Sequence, residues 1–168
     1  MRPFARVLQP RIDALAAAHS YISPRGVGSG SPADAETVKG LLRVLTAPYK
    51  GQFRETIAVE GEDAPIGSRA AGTLALIVHE LATNAVKHGA LSSETGRVRV
   101  RCSEADGRYR VDWREEGGPT LRGAPRHTGF GSTFFDRLVA SGQVDIQRAW
   151  RTEGLEVSVS MSEEALQA

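Results

Sequence analysis

The chain has 168 residues, of which 40% are hydrophobic and 24% charged, and its formal net charge is +1. This balance is typical of one globular domain, and the near-neutral charge predicts neither a nucleic-acid partner nor contact with an anionic membrane. The single cysteine, Cys102, excludes an internal disulfide and a cysteine cluster for zinc. With no apolar run long enough to span a bilayer and no signal-like segment, a cytoplasmic setting is expected.

Two helices are predicted before the first strand. Pro10 suits a first helical position, and the helix runs to Ile22, with residues 2–9 as an open upstream extension. The Gly/Ser-rich residues 23–31 predict a flexible linker. Ser31 is interpreted as the N-cap of a second helix that ends near Ala47. One stripe of the first helix is mainly apolar and needs a partner: Ile12, Leu15, Ala16, His19 and Ile22.

The middle of the chain combines a strand, a long helix and a hairpin. Strand character at 53–61 precedes a helix over 68–88 that Gly89 ends. Val98, Val100 and Cys102 then alternate with arginines, and a second alternating run follows Asp106-Gly107. Because this dipeptide favours a tight turn between strands, the two runs are predicted to form a β-hairpin.

The last third contains a loop, a short helix and a second hairpin. Residues 117–131 are rich in glycine and proline and predict a loop. The segment "STFFDRLVAS" predicts a helix closed by Gly142, and the final strands turn over residues 152–154. Helices that interleave with hairpins favour a two-layer α/β sandwich, with a mixed sheet and the helices over one face.

The segment "VHELATNAVKHGAL" at 78–91 concentrates polar residues within the long helix. Under one hypothesis His79 is a phosphate-accepting histidine; under the other, the helix belongs to a nucleotide and metal site. At about 100° per residue, Glu80, Asn84 and Lys87 share one polar face. Amide and carboxylate oxygens suit Mg²⁺, and a lysine supplies a point charge for phosphate. The spacing indicates a metal–phosphate site, although a solvated helix face shows the same pattern.

Two glycine-rich turns favour the nucleotide hypothesis. A strand ending at Glu115 runs into Gly117-Gly118, and Gly129 and Gly131 open the following helix. Glycine before a helix leaves free backbone N–H groups and a positive dipole end that can face a phosphate. Each turn alone is a weak signal, because turns use glycine constantly, but the three elements in this order favour a nucleotide site.

With these motifs the chain resembles the nucleotide-binding domain of the GHKL superfamily, and within it the HWE histidine kinases. That family is named for a histidine in the Asn-bearing helix and a Trp-x-Glu motif, here His79 and Trp113-Arg114-Glu115. The match runs from about Ile12 to the C-terminus. It implies a Bergerat-type ATP-binding fold over residues 32–168, preceded by an N-terminal helix. Residues 1–22 would be the second helix of the family's dimerisation and phosphotransfer hairpin.

The resemblance also implies a role for each site residue. Glu80 would be the base or polariser for phosphoryl transfer, and Asn84 would be the Mg²⁺ ligand. Lys87 would contact phosphates, Glu115 would accept from the adenine amino group, and Gly117 would let adenine approach the backbone. The remaining nucleotide-binding assignments lie at the helix end and in the second glycine turn: His88, Gly129, Phe130, Gly131 and Ser132.

The implied function is transfer of the γ-phosphoryl group of Mg-ATP to a histidine, for relay to an aspartate of a response-regulator receiver domain. The family's acceptor histidine lies upstream of "RIDALAAAH", so we expect it on a missing or separate helix, with His79 in a structural role. The implied cofactors are ATP and Mg²⁺. A second copy of the chain is a further candidate partner, through the N-terminal helix. The alternatives are an anti-sigma-type serine kinase of the same fold and a non-catalytic phosphotransfer or docking module.

Overall fold

The computed structural model describes residues 3–22, 36–49, 56–121, 123–124 and 130–168, without the side chains of 3–7 and 130–134. These residues form five α-helices and five strands. In chain order they are α1 (Pro3–Ile22), α2 (Val38–Thr46), β1 (Ile57–Gly61), α3 (Ser68–Lys87), β2 (Arg97–Ala105), β3 (Arg108–Glu116), α4 (Phe130–Ala140), β4 (Asp145–Arg151), β5 (Gly154–Ser162) and α5 (Glu163–Gln167). Short 3₁₀ turns follow α2 at Ala47–Tyr49 and α3 at Ala90–Ser92.

The five strands form one mixed sheet in the order β1-β2-β3-β5-β4. β1 runs parallel to β2, and every other neighbouring pair is antiparallel. Val100 of β2 is paired with Val59 on one side and Trp113 on the other. The β2–β3 turn has positive φ at both Asp106 and Gly107, as a tight type I′ hairpin requires. The predicted mixed sheet is confirmed.

The helices cover one face of this sheet. Along β2, Val98, Val100 and Cys102 are buried, whereas the arginines between them are exposed, as a strand with one covered face requires. α3 supplies the central apolar face of the helical layer through Leu74, Ile77, Val78 and Leu81. The predicted two-layer arrangement is therefore also confirmed, and the buried face of α3 leaves its polar side available for the site.

The starts of the first elements differ from the sequence predictions. α1 begins at Pro3, so Pro10 lies inside the helix and not at its first position. α2 begins at Val38, where Thr37 Oγ1 accepts a hydrogen bond from the Gly40 N–H at 3.2 Å. Thr37 is extended and forms a β-bridge to Pro65, which excludes it from the helix. The predicted cap, Ser31, lies outside the described residues.

The five-residue helix α5 was not predicted. It is capped by Ser162, whose side chain accepts a hydrogen bond from the Ala165 N–H. The carbonyls at the end of α5 accept hydrogen bonds from the first N–H groups of α3. Gly67, the N-cap of α3, has no side chain, and the N–H groups of Gly67 and Arg69 donate to the carbonyls of Leu166 and Ala168, both at 2.9 Å. The C-terminal backbone thereby satisfies donors that every helix N-terminus leaves open.

Candidate nucleotide-binding site

The polar side of α3 faces solvent at its C-terminal end. The side chains of Asn84, Lys87 and the C-capping His88 are exposed. Glu80, one turn earlier, differs from them because it is only 8% exposed. The predicted stripe is therefore present but is accessible at one end and covered at the other.

Glu80 is covered by α1. The Nε atom of Arg11 donates to Oε1 of Glu80 at 2.6 Å, and the two side chains are 16% and 11% exposed. No role was predicted for Arg11 from the sequence. The two residues are 69 positions apart, and no local pattern links residues so distant.

His79 points away from the polar stripe and is half-buried. Its Nδ1 lies 3.1 Å from the hydroxyl of Tyr49, at hydrogen-bond distance. Burial lowers the pKa of His79 from its ordinary value; Glu80 acts in the opposite direction, and Arg11 and Lys87 lower it further. A partly buried, hydrogen-bonded ring of this kind agrees with the structural role expected for His79.

The two named residues of the Trp-x-Glu motif lie on β3 and contact each other. Trp113 and Glu115 are two residues apart on a strand, so both side chains point toward the helices. Trp113 Nε1 donates to Oε1 of Glu115 at 3.2 Å, and the Ala90 N–H donates to Oε2 at 2.8 Å. Glu115 is 4% exposed. Burial raises the pKa of Glu115, and the two hydrogen bonds partly offset this effect.

One glycine makes this arrangement possible, and a second turns the chain just after β3. A Cβ added to Gly89 would lie 2.0 Å from Oε2 of Glu115, so only glycine lets the carboxylate reach the Ala90 N–H. Gly117 has a φ of +73°, a conformation that glycine adopts without strain. The sequence indicated Gly89 only as a helix stop; its closeness to Glu115 was not predicted.

The end of α3 and the end of β3 meet in one corner. The Gly89 N–H donates to the carbonyl of Asn84 at 3.1 Å, and the next N–H, that of Ala90, donates to Glu115. The backbone around Asn84 is thus joined through two consecutive residues to the buried carboxylate. The exposed side chains of Asn84 and Lys87 therefore lie at the helix end, just beyond which Ala90 contacts the Glu115 carboxylate.

The second glycine turn is only partly described. Gly129 lies outside the described residues, while Phe130, Gly131 and Ser132 form the first turn of α4. The helix therefore begins two residues before the predicted segment "STFFDRLVAS", and Phe130 and Gly131, predicted as loop, are helical. Their side-chain placement is not part of the described structure.

The donor groups at this corner are suited to a hard cation shared with a ligand. Among the described residues, no group of three or more His, Cys, Asp and Glu side chains could hold a metal ion by itself. Mg²⁺ commonly takes one or two protein oxygens and completes its shell with phosphates and water. Asn84 is the only asparagine in the chain, and its exposed side chain offers such an oxygen.

Several known proteins to which the chain is similar are histidine kinases. Over 160 residues the chain is 34% identical to blue-light-activated histidine kinase 1 of Erythrobacter litoralis, covering 94% of this chain and 43% of that protein. A solved histidine kinase domain, from the Erythrobacter litoralis EL346 blue-light-activated kinase, superposes with a TM-score of 0.66 at 24% identity, covering 94% and 75% of the two chains. Histidine kinase ThkA, solved with response regulator protein TrrA, superposes with a TM-score of 0.54 at 11% identity, covering 96% and 61%.

The structural likenesses show the shared fold, and the chain spans less than half the length of the curated relative. No helix in the described part of the chain is long and apolar enough to cross a membrane. Residues 32–161 match the family described as the histidine kinase-like ATPase domain. Because that match covers most of the sequence, the chain belongs to the histidine kinase-like ATPase domain family.

Proposed function

We propose that the chain is the catalytic, ATP-binding part of a cytoplasmic protein-histidine kinase. It would transfer the γ-phosphoryl group of Mg-ATP to a histidine on another segment or another chain. We assign residues 32–168 to the catalytic domain, 23–31 to a linker and 1–22 to the second helix of a phosphotransfer hairpin. The observation that carries the proposal is the corner in which the Ala90 N–H, just beyond the helix end that bears exposed Asn84 and Lys87, donates to buried Glu115.

Within this proposal the polar side of α3 holds the phosphates. The amide oxygen of Asn84 would ligate Mg²⁺, and the ammonium of Lys87 would contact a phosphate oxygen. Bound Mg²⁺ would supply neutralisation of the phosphate charge. Glu80 would accept the proton of the attacking group or orient it. Phosphoryl transfer depends mainly on positioning and charge neutralisation. Asn84 and Glu80 would supply positioning, and Lys87 would supply positive charge.

Base recognition is assigned to Glu115. A carboxylate only accepts hydrogen bonds, so it would pair with the amino group of adenine and would disfavour guanine, which presents a carbonyl at that edge. Trp113 and the Ala90 N–H hold the carboxylate in place from within the protein. Gly117 would leave space for the base beside the backbone. Equal affinity for Mg-ATP and Mg-GTP would contradict this assignment.

The start of α4 is assigned to the phosphate tail. Gly129, Phe130, Gly131 and Ser132 would present backbone N–H groups at the positive end of the helix dipole. His88, exposed at the C-terminal end of α3, would border the nucleotide. A receiver domain of a response regulator is the proposed downstream partner, supported by the solved complex of ThkA with TrrA.

Titration calorimetry with Mg-ATP tests the proposal. We expect the unmodified chain to bind and Asn84→Ala to bind about tenfold more weakly or worse, since an interaction with a charged group contributes about 1.5–3 kcal/mol. Gln147→Ala removes an amide of similar size from an exposed position on β4 and should bind normally. Unchanged affinity in Asn84→Ala would contradict the metal assignment.

Incubation with γ-labelled ATP separates transfer to another segment from self-labelling. The ring of His79 lies at hydrogen-bond distance from the Tyr49 hydroxyl, and its backbone belongs to the helix that would hold the phosphates. It is therefore poorly placed for in-line attack on the γ-phosphate. We therefore expect no label on the chain itself, but acid-labile label on a supplied helical hairpin that bears the acceptor histidine. Self-labelling that disappears in His79→Gln, while nucleotide binding persists, would overturn this interpretation.

A further inference from the structure

The N-terminal helix lies along the helix that carries the proposed catalytic carboxylate. Arg11 is opposite Glu80, and Leu15 lies against Gly72, with its Cδ2 3.8 Å from the position of a Cβ there. From the first pair to the second, the residue on α1 lies later in the chain while the residue on α3 lies earlier. The two helices run antiparallel, and the first turns of α1 extend toward the Asn84 end of α3.

α1 also makes apolar contacts with the domain, since Ala18 belongs to the core and Ala17, Tyr21 and Ile22 pack against it. In residues 8–22, for which α1 side chains are described, only Ala18 is buried. The side chains of Arg11 and Glu80 are 16% and 11% exposed, so their charges attract more strongly than those of an exposed pair, although both charges have lost most of their contact with water. Removing Arg11 would leave the Glu80 carboxylate buried without this ion pair, which strongly disfavours the docked arrangement.

The same ion pair withholds Glu80 from chemistry. Its Oε1 already accepts from a guanidinium at 2.6 Å, and the residue is 8% exposed beneath α1. An acceptor histidine must place its reacting nitrogen within hydrogen-bond reach of the base and in line with the phosphate. Asn84 and Lys87 remain exposed, so the docked helix leaves the metal and phosphate ligands open while it covers the proton acceptor.

We propose that Arg11 is an autoinhibitory latch: it holds α1 on α3 and keeps Glu80 in an ion pair that must open before phosphoryl transfer. The inference rests on the proposed function, because it takes Glu80 as the base or polariser of that reaction. In the docked state the chain binds Mg-ATP but does not transfer. Undocking of α1 frees the carboxylate and clears the approach of the acceptor. A positioning role for Arg11 would require transfer with α1 in place, where the helix itself obstructs that approach.

The test compares the unmodified chain with Arg11→Gln, which keeps a polar side chain and removes the charge. Hydrogen exchange reports docking of α1, calorimetry reports Mg-ATP affinity, and labelling of a supplied histidine-bearing hairpin reports transfer. For Arg11→Gln we expect faster exchange over residues 8–22, unchanged Mg-ATP affinity and transfer accelerated about fivefold or more, the lower end of couplings between sites. Arg43→Gln removes an exposed charge from α2 and serves as the matched control.

Glu80→Gln separates the two effects of the ion pair. It should also loosen α1 in hydrogen exchange, because the ion pair with Arg11 is lost, yet it should not accelerate transfer, because the proposed base is lost with it. Slower transfer in an Arg11→Gln chain that binds Mg-ATP normally would overturn the latch and identify Arg11 as a positioning residue. Unchanged exchange over α1 would overturn it too. Failure of every chain to bind Mg-ATP would instead overturn the proposed function, and the latch with it.

Discussion

Glu115 is buried, and both of its carboxylate oxygens accept hydrogen bonds from the protein. The burial raises its pKa, and the hydrogen bonds lower it. The Trp-x-Glu pattern is readable in the sequence, and the need of the Trp113 indole N–H for a partner is a general expectation. The identity of that partner comes from the strand, which places Trp113 and Glu115 on one face. The second donor, Ala90, is 25 residues away and comes from the end of α3.

The raised pKa of Glu115 predicts a pH-dependent contribution to stability. A group with a raised folded-state pKa contributes fully below its ordinary pKa, here 4.5, and that contribution is lost as pH rises through the folded value. Glu115→Gln removes the titration. We expect the unmodified chain to lose stability relative to Glu115→Gln as pH rises from 4.5 toward neutrality, measured by urea unfolding. Glu104→Gln, at an exposed position on β2, supplies the baseline, and a difference that moves the opposite way would refute the prediction.

At the scale of elements, α1 uses one side to dock and leaves another uncovered. Ala18 is buried and Arg11 reaches Glu80, whereas Leu8, Ile12 and Leu15 are 43%, 47% and 40% exposed. The stripe predicted from the sequence is thus only partly covered: Ile12 is exposed, whereas Leu15 also lies against Gly72 of α3 and Ile22 packs against the core. Helical periodicity identified an apolar side of α1, but it did not show which of its residues would be covered when the helix docks. An apolar stripe on a helix surface indicates an interaction site.

The exposed stripe predicts association of the chain through α1. We expect light scattering to show a mass that rises with concentration, because covering Leu8, Ile12 and Leu15 removes apolar surface from water. The double variant Ile12→Gln/Leu15→Gln should remain monomeric over the same range. Val139→Gln changes a comparably exposed residue, at 40%, on α4 and should behave like the unmodified chain. A constant monomer mass in the unmodified chain would rule out self-association through this stripe.

At the scale of the whole molecule, one core joins the helical layer to the sheet. Leu41, Leu42 and Ile77 from the helices and Val98 and Val100 from the sheet are at most 1% exposed. They belong to a single continuous cluster of buried residues. Because α2 enters this cluster, it is integral to the domain despite its nine residues.

Two substitutions in α2 test this dependence on the shared core. Leu42 is fully buried and Val44, on the same helix, is 42% exposed. Leu42→Ala should lower the free energy of unfolding by about 2–5 kcal/mol, because it leaves a cavity in the core. Val44→Ala should change it by no more than about 0.5 kcal/mol, as is usual for surface sites. Urea unfolding measures both, and similar losses in the two variants would contradict the assignment of α2 to the core.

The sequence alone determined the features that depend on neighbouring residues. The 3.6-residue periodicity predicted α3 within a residue of its observed end, and the Asp106-Gly107 turn predicted the β2–β3 hairpin. The polar face with Asn84 and Lys87 was readable for the same reason. Local elements with these periods and turns also sufficed to predict a mixed sheet covered on one face.

Only the tertiary structure decided how the elements meet. It replaced Ser31 by Thr37 as the described cap of α2, because Thr37 also pairs with Pro65. It joined Arg11 to Glu80, which no sequence period links across 69 positions. It also brought Glu115 against Gly89-Ala90, where a missing Cβ allows the contact. Periodicity describes which side of an element is apolar, whereas the partner of each side depends on packing between distant segments. That packing pairs Glu80 with Arg11 and places Glu115 against the Ala90 N–H.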